Sequence, residues 1–441
     1  MKLENVFMLL PNRTVGFGSI EIEGDTIAKI DLSPAHGTSD EVAQAPSTSV
    51  ALPRASTNIA AASRLVLPGL VNCHCHAPMT LLRGVGGGLP LQRWLEEAIF
   101  PIEAKMTDVD VAAGMTWGAM EMLAGGTTCV ADMYEHTRAG ADALAATGMR
   151  GNVCRVGLSF VPGRLDECIA FTSHYAPGTS AAGAKAHVFA DICVHSEYLT
   201  DEKFCRALAA ANKELGRPLH VHVSETKKEH EECIARHGKT PIEYLADTGL
   251  LDRGGYAAHC VWCTDDDFRI MAEKGVSLVH NPTSNMKLGS GFARVPRAME
   301  LGVNVALGTD GTASNDNLDM FEEMHLASLV HKGLANDPTV LSPWDIIEMA
   351  TKNGAKALGR GDIGEIAVGK KADFCVVNLG RLHLTPCFDL PNLVVHSMHA
   401  SDVVETIVGG EVLYDNGTFP RIDAKAAKET FLASVQNLVQ R

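Results

Sequence analysis

From Leu65 to about residue 310, short apolar β-type runs alternate with amphipathic helical segments. We predict eight of these runs as strands: Leu65–Cys73, Thr128–Met133, Asn152–Gly157, His187–His195, Pro218–Val223, Tyr256–Cys260, Val276–His280 and Val303–Gly308. Regular strand–helix alternation indicates a parallel sheet, and eight such units that close on themselves form a (β/α)8 TIM barrel, an α/β fold. An open doubly wound sheet is the competing fold, but no Gly-x-Gly-x-x-Gly follows a strand at a helix start.

Both ends of the chain carry the shorter alternation of antiparallel strands. Val15–Ile22 and Thr26–Ile30 flank a turn, and later candidates are Ala372–Val377, Glu405–Val408 and Glu411–Tyr414. Because a lone hairpin is too small to be stable, we expect both ends to combine into one small β-sandwich beside the barrel. The predicted parts are 1–64 with a loop or insertion over about 33–64, the barrel over 65–368, and 369–441 with a final helix from about Ala424 to Leu438.

Charge and cysteine usage narrow the class of protein. A formal net charge of −15 over 441 residues offers no basic stripe for nucleic acid. The 12 cysteines are scattered through predicted strands and helices, which is typical of reduced thiols in a cytoplasmic protein. Neither a signal segment nor a run of about 20 apolar residues is visible. We therefore expect a cytoplasmic protein with no nucleic-acid or membrane partner.

Metal-competent side chains follow several of the predicted strands. The run Leu67–His76 ends in His74 and His76, which share one face of a strand. His222 and Asp310 follow two later strands, and the carboxyl ends of barrel strands meet at one mouth. Three imidazoles and a carboxylate suit Zn²⁺, or alternatively Fe²⁺, and leave a position for water, whose pKa a bound metal lowers.

Two further residues at the same strand ends could handle protons. Glu225 lies just past the strand that carries His222 and is placed to accept a proton, and His259 could orient the hydroxide. His220 lies deeper on that strand, where we expect a hydrogen-bonded core residue. Each of these residues has a structural alternative when taken singly, but four strands ending in metal-competent groups by chance is a poor explanation.

Longer motifs around these residues resemble the amidohydrolase superfamily. They are Pro-Gly-Leu-Val-Asn-x-His-x-His at 68–76, His-x-x-Glu-Thr at 222–226, Ala-His-Cys at 258–260 and Gly-Thr-Asp-Gly at 308–311. More narrowly, the segments 77–84, 280–288 and 309–315 are similar to those of S-adenosylhomocysteine and 5′-methylthioadenosine deaminases. The resemblance covers nearly the whole chain.

This resemblance implies a hydrolase that acts on a cyclic amidine C–N bond, deaminating an adenine nucleoside at C6 to the inosine analogue and ammonia. The candidate substrates are S-adenosylhomocysteine, 5′-methylthioadenosine, 5′-deoxyadenosine and adenosine. One metal would be held by His74, His76, His222 and Asp310, because 187–198 contains no lysine to bridge a second. Glu225 would pass a proton to purine N1, while His259 and Asp310 steady the nucleophile. A homo-oligomer, either a dimer or a tetramer, would follow by analogy.

The resemblance also implies substrate contacts. Glu103 and His195 would bind the ribose hydroxyls or the ring edge, and Trp94 could cover the base, although ordinary packing is the alternative. Arg155 and Arg164 resemble the arginines that meet the carboxylate of a homocysteine tail, and surface salt bridging is the alternative for Arg164.

Departures from the family pattern leave the exact substrate open. Cys75 stands where the family usually has Thr, Glu197 where it has Pro, and Gly86–Gly88 where it carries acidic residues. We expect Cys75 to face away from the site, Glu197 to alter the pocket rim, and the glycines to add flexibility. The Cys260-x-x-Cys263 pair is a weak signal for a redox or zinc site. Deamination or dechlorination of another base, such as guanine or an s-triazine, and a non-catalytic scaffold are the alternative functions.

Overall fold

The structure is a computed structural model that describes residues 1–33, 64–179 and 187–441. The loop or insertion predicted over about 33–64 lies, apart from its end residues, outside the described residues. Within the described ranges the strands are β1 Lys2–Leu10, β2 Thr14–Glu23, β3 Thr26–Leu32, β4 Arg64–Pro68, β5 Leu70–Cys75, β6 Thr127–Tyr134, β7 Arg150–Arg155, β8 Val188–Ala190, β9 Ile192–Cys193, β10 Leu219–Val223, β11 Gly255–His259, β12 Val276–His280, β13 Val305–Leu307, β14 Phe374–Asn378, β15 Val403–Val408 and β16 Glu411–Asp415.

Strands β5 to β13 form the parallel barrel. The short strands β8 and β9 together take the place of its fourth strand. Each pair from β5 to β8 and from β9 to β13 is parallel. The Asp191 amide donates to the Val153 carbonyl at 3.1 Å, which joins the two groups of strands. The Asp310 amide donates to the His74 carbonyl at 2.9 Å, which closes the last strand against the first. The predicted (β/α)8 barrel is therefore confirmed.

Helices and short helical turns connect these strands and follow them. Those before β10 are Ala77–Leu82, Leu91–Arg93, Trp94–Ile99, Phe100–Glu103, Asp108–Ala124, Thr137–Thr147, Arg164–His174, Glu197–Leu199 and Glu202–Leu215. Those after it are Lys227–His237, Pro241–Asp247, Asp265–Lys274, Pro282–Lys287, Val295–Glu300, Thr312–Asn315, Met320–Ala335, Pro343–Met349, Lys352–Ala357, Leu382–Leu384, Leu390–His396, Ala400–Asp402 and Ala424–Gln440. The largest apolar core lies between the barrel strands and these helices.

Two predicted barrel strands are interrupted. The run Leu65–Cys73 was predicted as one strand, but Gly69 separates β4, which belongs to a different sheet, from β5. A Cβ at Gly69 would lie 2.2 Å from the Thr128 hydroxyl, so only glycine fits this crossing point. The fourth strand is broken at Asp191, whose buried carboxylate accepts hydrogen bonds from Asn152, Arg217 and Tyr256.

The two chain ends combine beside the barrel, as predicted, in a sheet of order β16-β15-β14-β4-β1-β2-β3. All seven strands are hydrogen-bonded to a neighbour in this one sheet. The Ile27 amide also donates to the Lys370 carbonyl, which links the N-terminal and C-terminal parts of the sheet, and residues of both parts share one apolar core. Strand β1 was not predicted, because a bulge between Leu3 and Val6, with Asn5 at φ 55°, breaks the alternation of the segment.

Membrane-spanning helices and disulfide bonds are both absent from the described residues. Across the described ranges, no helix is long and apolar enough to span a membrane. All twelve cysteines are free thiols, and eleven of them are buried. The domain boundaries at 64/65 and 368/369 stay predictions.

Candidate active site

Four predicted metal ligands converge where the carboxyl ends of β5, β10 and β13 meet. The Asp310 Oδ1 atom lies 3.3 Å from His74 Nε2 and 3.2 Å from His76 Nε2. The Nε2 atoms of His76 and His222 are 3.3 Å apart. One donor atom from each of His74, His76 and Asp310 falls within a common 4.8 Å, and His74 forms a second such group with His222 and His259. The structure thus brings all four residues together.

The remaining polar atoms of these ligands are already occupied. The Nδ1 atoms of His74, His76 and His222 pair with His220 Nε2 at 2.8 Å, with the Met133 carbonyl at 2.5 Å and with the His195 carbonyl at 2.8 Å. Such outer contacts fix the ring orientation of metal-binding histidines. Every Nε2 atom is therefore left to face the common centre.

Asp310 is oriented in the same way. Its Oδ2 atom accepts hydrogen bonds from Ser284 at 2.6 Å and Ser314 at 2.8 Å, which leaves Oδ1 for the histidines. The buried Nε2 atom of His74 makes no hydrogen bond among the described residues. A buried polar atom without such a partner is costly unless something occupies the site. This donor set and the unpaired Nε2 atom fit one divalent metal ion.

Burial and neighbouring charges set the ionisation of the cluster. Burial lowers the pKa of His74 to about 4 and that of His222 well below its ordinary value, so both imidazoles are neutral, the form that binds metal. Burial opposes a charge on His76 as well, but its contact with Asp310 raises its pKa to about 9. The paired histidines hold the pKa of Asp310 well below its ordinary value against the effect of burial. A bound cation would replace the proton that these groups share.

Glu225 and His259 lie side by side next to this cluster. The His259 Nε2 atom is 3.8 Å from Glu225 Oε2, and its Nδ1 pairs with the Asn285 side-chain oxygen at 2.8 Å. Burial raises the pKa of Glu225. Glu229 holds the loop in place, because its carboxylate accepts hydrogen bonds from the Ser224 and Glu225 amides, both at 2.8 Å. The predicted acid–base group and its orienting histidine are therefore adjacent.

A cavity of about 520 Å³ opens above the cluster, and most of its lining is apolar. His195 lines it, with its ring centroid 4.6 Å from that of His222. Glu103 also lines it, and burial raises the pKa of this carboxyl group, while the Tyr134 hydroxyl partly offsets that effect. The volume is within the range of pockets that hold small organic ligands.

Trp94 forms part of the same wall. Its indole nitrogen donates to the Val85 carbonyl at 3.1 Å, and the side chain is buried. A Cβ at Gly86 would lie 2.7 Å from the Trp94 ring, and Gly86 has φ 74°, so glycine is required there on two counts. This glycine therefore makes room for the tryptophan.

Only one of the two arginines predicted to bind a substrate carboxylate lies on the cavity wall. Arg164 lines the cavity, whereas Arg155 does not. Both bind Glu135, at 2.7 Å and 2.6 Å respectively, and both also bind Glu167. Glu135 lines the cavity and was missed at the sequence level, although a carboxylate directly after the second barrel strand was a visible signal.

The other departures fall outside the cavity. Cys75 packs in an apolar core cluster, as expected from its position on the strand. Glu197 was expected at the pocket rim, but it is buried and pairs with Arg236, while its neighbour Tyr198 lines the cavity. Cys260 and Cys263 are buried free thiols. Ser284 and Asn285 were not predicted as supporting residues, because each lies 26 positions from its partner. Ser314 and Glu229 were also not predicted, although their partners lie within five positions.

The sequence model of the amidohydrolase family matches residues 65–413. The chain belongs to the amidohydrolase family. It is 43% identical over 376 residues to a 5-methylthioadenosine/S-adenosylhomocysteine deaminase of Acetivibrio thermocellus, covering 85% of this chain and 87% of that protein. It is 40% identical to a 5′-deoxyadenosine deaminase of Methanosarcina mazei, covering 88% and 89%.

A solved structure agrees with this assignment. The zinc-bound crystal structure of an adenosine deaminase from Xanthomonas campestris matches this amidohydrolase with a TM-score of 0.88 at 30% identity, covering 100% of this chain and 98% of that one. The resemblance inferred from the motifs is thereby confirmed.

Proposed function

We propose that this amidohydrolase hydrolyses the C6 amino group of an adenine nucleoside, giving the inosine analogue and ammonia. The observation that carries the proposal is the pairing of Glu225 with His259 beside the converging imidazoles, on the floor of a cavity of about 520 Å³. Relatives named as deaminases of adenine nucleosides support the same reaction. The partner of the site would then be a small-molecule nucleoside.

The residues that would hold one divalent metal are His74, His76 and His222 through Nε2, and Asp310 through Oδ1. Three imidazoles and a carboxylate favour Zn²⁺, with Fe²⁺ as the second choice, and the Xanthomonas campestris adenosine deaminase has bound zinc. When bound, the metal acts as a Lewis acid that lowers the pKa of a water molecule, so that hydroxide is available near neutral pH.

Glu225 would move the protons of the reaction. Because burial raises the pKa of its carboxyl group, Glu225 holds a proton more readily than an exposed glutamate does, which suits a group that accepts a proton and then passes it on. It takes a proton from the attacking water and gives it to purine N1, which makes C6 more electrophilic. His259, oriented by Asn285, and Asp310, oriented by its two serines, hold the nucleophile in line with C6. The proton of the hydroxyl group added at C6 then passes through Glu225 to the amino group, and the C6–N bond breaks as the C6 carbonyl forms, so that ammonia leaves.

Glu103 and His195 would bind the ribose hydroxyls or the purine edge from the cavity wall, and Trp94 would cover the base. The apolar lining excludes water from the reacting centre, which strengthens these polar contacts. Assembly into a dimer or tetramer and a cytoplasmic location stay predictions.

The test is the ultraviolet change when zinc-loaded protein is mixed with 5′-methylthioadenosine, S-adenosylhomocysteine, 5′-deoxyadenosine or adenosine. We expect conversion to the inosine chromophore, and a loss of about 100-fold or more in Glu225→Gln with the metal retained. Glu231→Gln is the matched control, because Glu231 lies on the adjoining helix with an exposed side chain. Metal-loaded protein that is inactive on all four nucleosides but converts guanine or an s-triazine would overturn the proposal.

A further inference from the structure

We propose that Glu135 makes the cavity select adenine nucleosides whose 5′ substituent carries no carboxylate, such as a methylthio or methyl group. This inference rests on the proposed deamination and narrows its substrate class. It departs from the expectation, drawn from the family resemblance, that Arg155 and Arg164 receive a homocysteine carboxylate.

Most nitrogen atoms of the two guanidinium groups already donate hydrogen bonds within the protein. Arg155 donates to Glu135 at 2.6 Å through one terminal nitrogen, and to Glu167 at 2.8 Å and 3.2 Å through its other two nitrogens. Arg164 donates to Glu135 at 2.7 Å, to the Val156 carbonyl at 2.8 Å and to Glu167 at 3.2 Å. All three nitrogens of Arg155 and two of the three of Arg164 are therefore used.

The charge of this group is balanced without a ligand. Two guanidinium groups face two carboxylates, and Glu135, the carboxylate on the cavity wall, contacts both arginines. A carboxylate on the substrate would be a third anion beside two cations. Glu135 would repel this anion, and the mostly apolar lining strengthens the repulsion relative to bulk water, because the interaction of like charges rises as the dielectric constant falls.

The wall next to these charges is suited to an uncharged substituent. The short connection between Arg155 and Arg164 contributes Val156, Leu158, Phe160 and Val161 to the cavity lining. A methylthio or methyl group removes apolar area from water here and leaves no unpaired charge.

A zwitterionic substituent is the alternative ligand for this part of the cavity. S-adenosylhomocysteine also carries an ammonium group, which Glu135 could bind while Arg164 binds the carboxylate. The geometry favours the neutral substituent, because Glu135 already pairs with both guanidinium groups, so an added ammonium group and carboxylate would lose their hydration for charges that the protein has already balanced. The two cases predict opposite effects when the charge of Glu135 is removed.

The first experiment compares kcat/KM of the zinc-loaded wild-type protein for 5′-methylthioadenosine, 5′-(n-butylthio)adenosine and S-adenosylhomocysteine. The butylthio compound has a neutral substituent of nearly the length of homocysteine, so it separates charge from size. We expect both neutral thioethers to exceed S-adenosylhomocysteine by about 10-fold or more. Equal or better use of S-adenosylhomocysteine would overturn the inference while leaving deamination intact, and rejection of both long substituents would assign selection to size.

The second experiment repeats the series with Glu135→Gln and, as a matched control, Glu167→Gln. Glu167 binds the same arginines, but its side chain is half exposed and does not line the cavity. We expect the ratio of S-adenosylhomocysteine to butylthio kcat/KM to rise about 10-fold in Glu135→Gln and less than about 3-fold in Glu167→Gln. A fall of the ratio in Glu135→Gln would show that Glu135 binds the ammonium group instead. If the wild-type protein deaminates none of the nucleosides, the result would count against the proposed reaction itself.

Discussion

Replacing Gly308 with Ala should weaken metal binding although none of the four proposed metal ligands is substituted. Gly308 lies where β13 closes against β5, and an added Cβ would be 2.8 Å from the His74 amide nitrogen and 3.0 Å from the His74 carbonyl oxygen. Ordinary contacts begin at 3.4 Å, so the two backbones have to separate by about 0.6 Å. One of these backbones carries His74 and the other leads to Asp310.

Overpacking of this kind costs about 1–3 kcal/mol. If the strain falls on the ligand geometry, zinc affinity drops by about 5- to 150-fold, since 1.4 kcal/mol corresponds to tenfold. The assay is competition for zinc between the metal-free protein and a fluorescent chelator. Gly333→Ala is the control: it lies in the helix Met320–Ala335, its added Cβ meets nothing within 4 Å, and it should leave affinity unchanged. Zinc affinity of Gly308→Ala within about 2-fold of wild type would refute the reasoning.

Three further predictions concern orientation, ionisation and metal. Asn285→Leu removes the partner of His259 Nδ1, and kcat/KM should fall about 10- to 100-fold at full metal occupancy; unaltered kinetics would contradict the orienting role. Burial raises the pKa of Glu323 to about 8, so the folded state holds the extra proton and stability should fall as pH rises from the ordinary glutamate pKa to about 8. Urea midpoints should show a shallower fall in Glu323→Gln, and parallel curves would exclude this group as the cause. Chelating the metal should lower the free energy of unfolding by about 2.7 kcal/mol relative to protein with zinc at about 100 times Kd, and identical melting curves would argue against a metal in this fold.

The residues of the candidate site could be predicted because the barrel fold itself places them. Once eight strands are parallel, their carboxyl ends share one edge, so His74, His76, His222 and Asp310 must meet wherever the barrel closes. Strand periodicity alone predicted that His220 is a buried hydrogen-bonding residue and that Glu225 lies just past the end of the same strand.

Other features could not be predicted, because they depend on contacts between segments far apart in the chain. Gly69 divides one apolar run between two sheets, since the Thr128 side chain leaves room only for glycine there. Strand β1 was missed, because its bulge at Asn5 hides the alternation on which strand prediction depends. The small sheet at the chain ends was predicted as a sandwich, and its continuous hydrogen bonding is visible only in the folded chain.

The sequence by itself determined the fold class and was sufficient to propose the metal-ligand set and the acid–base pair, because periodicity and residue type carry that information locally. Only the tertiary structure decided which partner each polar atom finds. Ser284 and Ser314 turn one oxygen of Asp310 towards the histidines. Glu135 pairs with Arg155 and Arg164, which the motifs alone would have assigned to a substrate carboxylate. The free energy of a charge depends on the charges within a few ångströms of it, and those neighbours are fixed only when the chain has folded.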